Sequence, residues 1–172
     1  MSRQHIFLVG PMGVGKTTIG KQLAGLLNRP FVDVDTEIES RCGTDIQWIF
    51  DREGEQGFRS RESKVLEDIV AASSASVIAT GGGVVLKSAN RETLQKNGQI
   101  VYLSASKEQL YERMRKDKSR PLLQVDNRQE VIDKLLKLRD PLYREVADLV
   151  FLSEGGQASK VAKRLLEALA KL

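Results

Sequence analysis

The sequence predicts an α/β domain built on a mainly parallel sheet, and three observations carry that prediction. Five short apolar runs rich in β-branched and aromatic residues, at 6–9, 31–33, 76–79, 100–103 and 149–152, are separated throughout by segments of helical periodicity. A glycine-rich turn, Gly10 to Gly15, joins the first run directly to the first helix. At 172 residues, 41% of them hydrophobic and 29% charged, the chain has the size and composition of one globular domain with a real core. A strand that returns through a helix lies parallel to its neighbour, and the crossover helix covers a sheet face.

Taken in order, Ile6-Phe7-Leu8-Val9 is a buried strand ending at Gly10. The helix over 16–27 puts Ile19, Leu23, Leu26 and Leu27 on one stripe and closes at Asn28 and Pro30. Phe31-Val32-Asp33 is the second strand. With Val34 and Asp35 it places two carboxylates at the strand's C-terminal end, on one side because residues two apart share a face. Helices follow over 36–41, 46–51 and 56–72, and the third strand, 76–79, ends in Thr80-Gly81-Gly82-Gly83. Ser88 is the expected N-cap of a helix over 89–97, and Ser106 that of one over 107–116. The segment 117–126 lacks periodicity, and its Arg120-Pro121 step opposes a continuous helix. A helix over 128–145 after Asn127, the last strand and a helix over 157–171 complete the chain.

Composition excludes several classes. No apolar run approaches the roughly 20 residues of a membrane-spanning helix, and the N-terminus has no signal-peptide pattern, so the expectation is a cytoplasmic protein with no membrane partner. The single cysteine, Cys42, rules out an internal disulfide and a cysteine-based metal cage, and it reads as an inert small side chain. The only histidine, His5, is expected at the surface, and Trp48, Ile49 and Phe50 as packing residues. The net charge of +4 is concentrated: positions 107–144 hold eleven Lys/Arg against seven Asp/Glu. That stretch suits a polyphosphate at least as well as a duplex, and it lacks the interleaved aromatics of a single-strand platform, so no nucleic-acid partner is expected.

Gly10-Pro11-Met12-Gly13-Val14-Gly15-Lys16-Thr17 matches the phosphate-binding loop pattern, placed after a strand and opening a helix. Successive amides of such a loop converge on phosphate oxygens, with the helix N-terminus behind them. Lys16 supplies a cation for the β and γ phosphates, and Thr17 a hydroxyl for the bridging Mg²⁺. Gly13, Val14, Gly15, Lys16, Thr17 and Thr18 are therefore candidate ATP-binding residues. Thr18 stands where a dinucleotide fingerprint would need its third glycine. Of the two aspartates, one can hold Mg²⁺ through its water shell while the other accepts a hydrogen bond or proton from an acceptor hydroxyl; an N-cap plus a solvated carboxylate fits the same residues. Gly81, Gly82 and Gly83 make either a plain turn or a close backbone approach to an anion. Arg59 and Arg139, taken singly, read as surface arginines. Arg113, Arg115, Lys116, Lys118 and Arg120 read as a solvated helix face, with Arg120 in the irregular segment able to swing onto phosphates.

Together these motifs resemble the shikimate kinase family, within the nucleoside-monophosphate-kinase-like group of P-loop kinases. The marks are the loop 10–17, Asp33-Val34-Asp35 with Glu37-Ile38-Glu39, Gly54-Glu55-Gln56-Gly57-Phe58-Arg59 with Glu62, the triplet 81–83, Arg120-Pro121-Leu122-Leu123, and Arg139-Asp140-Pro141-Leu142-Tyr143. The resemblance covers nearly the whole chain. It implies a three-layer P-loop NTPase fold with sheet order 2-3-1-4-5, a mobile lid over about 112–126 and an acceptor-binding region over about 33–61. It implies Mg²⁺-dependent transfer of the ATP γ-phosphoryl group to the 3-hydroxyl of shikimate. On the matching positions, Thr17 and Asp33 would hold the metal, and Asp35 would bind the acceptor hydroxyls and act as a base. Arg59 and Arg139 would grip the shikimate carboxylate beside Gly81, Gly82 and Gly83, oriented by Glu62. Lys16, Asp35 and Arg120 would be catalytic, Arg120 as the lid arginine and Arg113 as the one packing on adenine. Family members often carry a basic residue near the adenine where this chain reads Ser153-Glu154-Gly155-Gly156, so backbone atoms of that turn would form the pocket here.

Other acceptors stay in view. Gluconate kinases are similar in the loop but usually carry a histidine soon after the paired aspartates, and His5 lies at the far end of the first strand. A nucleoside monophosphate would need a base pocket that no segment clearly supplies. An ATP-binding regulatory or nucleic-acid-linked module would use the basic stretch as its contact, with affinity falling steeply with salt. With no appended domain, a monomer is expected.

Overall fold

The short apolar strands and amphipathic helices assemble as alternating layers. The computed structural model describes residues 5–72, 74–115, 117, 120–154 and 156–172. Met1 to Gln4, Lys116 and Lys118 of the basic stretch, and Gly155 of the last turn lie outside the described residues. The strands are β1 (His5–Val9), β2 (Phe31–Asp33), β3 (Val77–Ala79), β4 (Gly98–Ser104) and β5 (Leu149–Leu152). Between them run α1 (Lys16–Leu27), α2 (Val34–Cys42), α3 (Ile46–Ala72), α4 (Ser88–Asn97), α5 (Lys107–Met114) and α6 (Arg128–Val146), and α7 (Ala158–Leu169) follows β5. The sheet order is β2-β3-β1-β4-β5, with every neighbouring pair parallel. This is the three-layer P-loop fold that the motifs imply.

The period-two alternation of the central strand feeds two cores. Phe7 and Val9 pack with Ile38, Leu66, Leu94 and Tyr143 from α2, α3, α4 and α6. Ile6 and Leu8 pack on the opposite face with Leu23, Val161 and Leu165 from α1 and α7. A strand buried on both faces has no polar side to alternate, which is why β1 reads as a continuous apolar run. A third, smaller cluster joins Met114, Leu123 and Ile132, with Met12 packed against it, and so ties the end of α5 to the phosphate loop and to α6.

Several boundaries differ from expectation for local reasons. The carboxylate pair does not share a strand face: β2 stops at Asp33, which caps α2 by accepting from the Thr36 amide at 3.0 Å, and Asp35 lies in the helix's first turn. The two helices expected over 46–51 and 56–72 are both present; they meet at a kink at Gly54, which is non-helical (φ 72°), and are numbered together as α3. That left-handed conformation favours glycine. The kink folds the helix back so that Arg61 holds Glu53 at 2.7 and 2.9 Å and the Phe50 and Phe58 rings meet 5.0 Å apart. Ser88 begins α4 rather than capping it, the cap position being Lys87, whereas the Ser106 hydroxyl does cap α5 by accepting from the Gln109 amide. Asn127 precedes α6 without capping it; its side-chain amide donates to Glu130 instead. The aperiodic 117–126 segment contains a short 3₁₀ turn, Pro121–Leu123. Trp48 is 48% exposed, with the Arg52 guanidinium 5.4 Å from its ring centroid, so it is not core; Ile49 beside it is fully packed.

His5 is the other reversal. It is 3% exposed, at the N-terminal end of the central strand, and its Nδ1 accepts from the Ser76 amide at 3.3 Å. Burial pulls the imidazole below its ordinary value of 6.5. The unfolded chain therefore takes up a proton that the folded chain resists. The neutral ring's contribution to stability is complete above about pH 6.5 and is lost as the pH falls through the lowered folded-state value. Thermal unfolding midpoints at pH 7.5 and 5 should drop less in His5→Asn than in the parent protein. An equal drop would remove His5 from the acid sensitivity.

Candidate active site

The loop between β1 and α1 winds through left-handed glycines at Gly13 (φ 81°) and Gly15 (φ 101°), and Gly15 is the cap residue of α1. The Val14 side chain is buried in the core behind the loop, so of the loop candidates it contributes backbone only. The Lys16 amine donates to the carbonyls of Gly10 (2.6 Å) and Pro11 (2.9 Å). Burial, reinforced by the Arg120 guanidinium, pulls that amine down to about 7, while Asp35 and Asp33 oppose the shift. A polyphosphate brought to the loop favours the ammonium form. From the end of α5, Arg113 donates to the carbonyls of Gly13 (2.9 Å) and Val14 (3.0 Å), and the Met114 side chain lies against Gly13. The Ser153 hydroxyl, buried at the end of β5, lies 3.2 Å from the Val14 carbonyl and 3.1 Å from that of Ser104. The turn 153–156 was expected to contribute backbone atoms; the part played by the Ser153 hydroxyl carries no sequence pattern of its own.

Asp33 does two jobs at once: Oδ1 caps α2, and Oδ2 accepts from the Thr17 hydroxyl at 2.6 Å. The cap and the metal-site expectation are compatible in one residue. Hydroxyl and carboxylate oxygens side by side are hard donors of the kind Mg²⁺ takes. Asp35 sits further in. Burial pushes its carboxyl above the usual range, Asp33 adds to that, and Lys16, Arg120 and Arg59 pull it back. Its Oδ1 is buried without a hydrogen-bond partner among the described residues.

The glycines after β3 are required by their neighbours. A methyl group added at Gly81 would lie 2.8 Å from Glu62 Oε2 and 2.9 Å from Asp35 Oδ1; one added at Gly83 would overlap the Arg59 guanidinium. No side chain fits where those charged groups already stand. Arg59 is 8% exposed, Arg139 4% and Glu62 0%, so the arginines are not the surface residues that each suggests alone. Arg59 Nη1 donates to Glu62 Oε1 at 2.9 Å, and the Arg59 guanidinium lies 5.1 Å from the Phe58 ring centroid. Burial raises the Glu62 carboxyl while Arg59 lowers it. Guanidinium nitrogens Arg59 Nε and Arg139 Nε and carboxyl oxygen Glu62 Oε2 are buried without partners among the described residues. A buried set with unused donors is a binding arrangement rather than a finished ion pair.

Two adjoining cavities carry these groups. One, about 480 Å³, runs along the phosphate loop past Lys16, Thr17, Thr18, Arg113 and Gly156. The other, about 510 Å³, is enclosed by Phe50, Phe58, Arg59, Glu62, Gly81, Gly82, Gly83 and Arg139, with Pro121 and Leu122 opposite. Thr17, Asp33, Asp35, Gly82 and Arg120 line both. Arg120 Nε also meets Asp117 at 3.3 Å. Arg115 does not join the site; it is exposed and paired with Glu112 at 3.2 Å. Phe50, expected as a packing residue, and Phe58, noted only as part of the Gly54–Arg59 segment, both line this cavity, because an aromatic beside a helix kink looks like core until the kink is known.

The likeness to known proteins follows the same geometry. The family model described as Shikimate kinase matches residues 12–170. A protein named shikimate kinase from Francisella tularensis subsp. holarctica (strain FTNF002-00 / FTA) is 48% identical over 162 residues, covering 94% of this chain and 92% of that one. Among solved structures, shikimate kinase from Acinetobacter baumannii in complex with shikimate superposes with a TM-score of 0.95 at 47% identity, over 99% of this chain and 94% of that one. Shikimate kinase from Bacteroides thetaiotaomicron superposes with a TM-score of 0.86 at 36% identity, over 96% and 98%. With the family pattern matched from 12 to 170 and the fold shared along almost its whole length, the chain belongs to the shikimate kinase family.

Proposed function

We propose that the protein transfers the γ-phosphoryl group of ATP to the 3-hydroxyl of shikimate, giving 3-phosphoshikimate and ADP. One observation carries this above all: a phosphate-loop cavity and an arginine-lined cavity share a wall of Thr17, Asp33, Asp35, Gly82 and Arg120. Phosphoryl transfer requires donor and acceptor in line across such a boundary. A small hydroxy acid with one carboxylate suits the second cavity, where Arg59 and Arg139 offer unused guanidinium donors against an aromatic wall. The A. baumannii relative, described as a complex with shikimate, supports that acceptor.

The residues divide the work by position. Lys16 leaves the loop carbonyls for the β and γ phosphates as Gly13 to Thr18 wrap them. Asp35, half-buried on the shared wall, accepts a hydrogen bond from the attacking hydroxyl and takes its proton. Thr17 and Asp33 would hold Mg²⁺, which supplies charge neutralisation between the β and γ phosphates when bound. Arg120 faces both cavities and sets its charge beside the transferring group. Arg113 borders the nucleotide side near the adenine position, where the turn after β5 contributes Ser153 and Gly156. The segment 112–126 acts as the lid and 33–61 as the acceptor side of a single domain. Closing the lid excludes water, so that the acceptor rather than a hydroxide receives the phosphoryl group. All these residues come from one chain, so a single subunit suffices for the reaction, in keeping with the expected monomer.

ADP release should be measured with ATP and Mg²⁺ over shikimate, gluconate and nucleoside monophosphates beside an acceptor-free control. Turnover with shikimate alone is expected; turnover with another acceptor, or none, overturns the proposal. Arg59→Ala should raise the KM for shikimate far more than that for ATP, and Gly83→Ala should reproduce the pattern by displacing the same guanidinium. Equal changes in both constants would contradict the carboxylate grip. Arg120→Ala should lower kcat by roughly 10³-fold, as for cis-supplied arginines at phosphoryl groups; near-normal kcat would remove Arg120 from the mechanism.

A further inference from the structure

Beneath the glycine loop lies a hydroxyl that neither cavity explains. Tyr143 on α6 is fully buried, and its hydroxyl donates to the Gly82 carbonyl at 2.5 Å. The loop's other carbonyls are held by backbone, Gly81 by the Val84 amide and Gly83 by the Leu86 amide, each at 3.1 Å. Gly82 is thus the one member of the triplet whose carbonyl depends on a side chain. None of the amides of Gly81, Gly82 and Gly83 donates to a protein acceptor among the described residues.

Peptide geometry makes that contact directional. The Gly82 carbonyl and the Gly83 N–H belong to one peptide plane, and the chain has no cis peptide bond among the described residues. In a trans plane the two groups point in opposite directions. A carbonyl drawn toward Tyr143 therefore turns the Gly83 N–H away from it. The acceptor cavity is lined by Gly82 and Gly83 but not by Tyr143, which stands behind the loop. Tyr143 also follows Arg139 by one helical turn, and Arg139 Nη1 lies 3.3 Å from where a Gly82 Cβ would be. Burial raises the phenol to about 12, so it stays protonated and a donor.

We infer that the Tyr143 hydroxyl is a positioning group for the acceptor: by holding the Gly82 carbonyl behind the loop, it aims the Gly83 N–H into the cavity beside the Arg59 and Arg139 guanidiniums. This rests on the acceptor assignment made above. Losing the hydroxyl frees the Gly82–Gly83 peptide to rotate and take its donor off the acceptor, while the groups of the phosphate loop, Gly13 to Thr18, keep their own contacts, so the larger effect falls on the acceptor. Tyr102 supplies the matched control. Its ring lies 4.9 Å from that of Tyr143, and its hydroxyl donates to Asp140 at 2.6 Å, without touching the loop.

Tyr143→Phe, Tyr102→Phe and Arg59→Ala should be compared with the parent by steady-state kinetics in shikimate and in ATP. Tyr143→Phe should raise the KM for shikimate about tenfold, the factor expected for one hydrogen bond lost, with the KM for ATP within about twofold. Tyr102→Phe should leave both constants unchanged. An unaltered shikimate KM in folded Tyr143→Phe, a parallel rise in both constants, or the same effect from Tyr102→Phe would overturn the inference. Should Tyr143→Phe not fold, ¹⁵N-glycine spectra of the parent decide: the Gly83 amide must shift when shikimate is added, and a static resonance rejects the role. Arg59→Ala separates the two levels. If it weakens shikimate use and Tyr143→Phe does not, the positioning role alone fails; if the parent does not use shikimate, both fail.

Discussion

Charged side chains held out of water at the carboxyl edge of the sheet set the terms for everything around them. Lys16, Asp35, Arg59, Glu62 and Arg139 all sit within reach of the ends of β1 and β3, and a buried charge is tolerated only with opposite charge or directed hydrogen bonds nearby. The protein meets that demand incompletely. Glu62 has one oxygen on Arg59 and one without a partner, and Asp35 is balanced by several cations at a distance rather than by one contact. Such a cluster is held in place by the surrounding fold, and its remaining hydrogen-bonding capacity is directed inward, toward a ligand.

The backbone around the cluster is shaped to leave room for it. Gly81 and Gly83 do not have left-handed φ angles; they are glycines because Glu62, Asp35 and Arg59 occupy the places where side chains would go. On the other side, the Gly54 kink bends α3 so that Phe50 reaches Phe58 and Arg59 stands between the aromatic wall and the glycine loop. The long helix before β3 is therefore more than a crossover. Its break sets the width of the acceptor cavity, and its C-terminal half carries the buried ion pair.

Much of this was legible in the sequence where a motif constrains backbone. The phosphate loop, the five strands and their parallel direction follow from residue spacing, since Gly10 to Thr17 can hardly serve any other local structure between a strand and a helix, whereas the sheet order followed from the family resemblance. The arginines were legible only through family resemblance: Arg59 and Arg139 look solvated because helical position says nothing about which face a sheet will cover. Asp33 and Asp35 were grouped on one side by strand alternation, whereas the strand ends at Asp33 as a helix cap and the two nevertheless line the same cavities. His5 and Trp48 exchanged their expected environments because burial is decided by tertiary neighbours. Tyr143 lay in view within a recognised motif, but a hydrogen bond to a carbonyl 61 residues away has no local sequence signal.

The wall common to the two cavities has a thermodynamic side. Thr17, Asp33, Asp35, Gly82 and Arg120 cannot rearrange for one ligand without altering the surface offered to the other. Linkage then makes the influence mutual: whatever factor a bound nucleotide applies to the affinity for the acceptor, a bound acceptor applies to the affinity for the nucleotide. Communication between the two substrates needs no second subunit and no separate regulatory domain; it is built into five residues that belong to both.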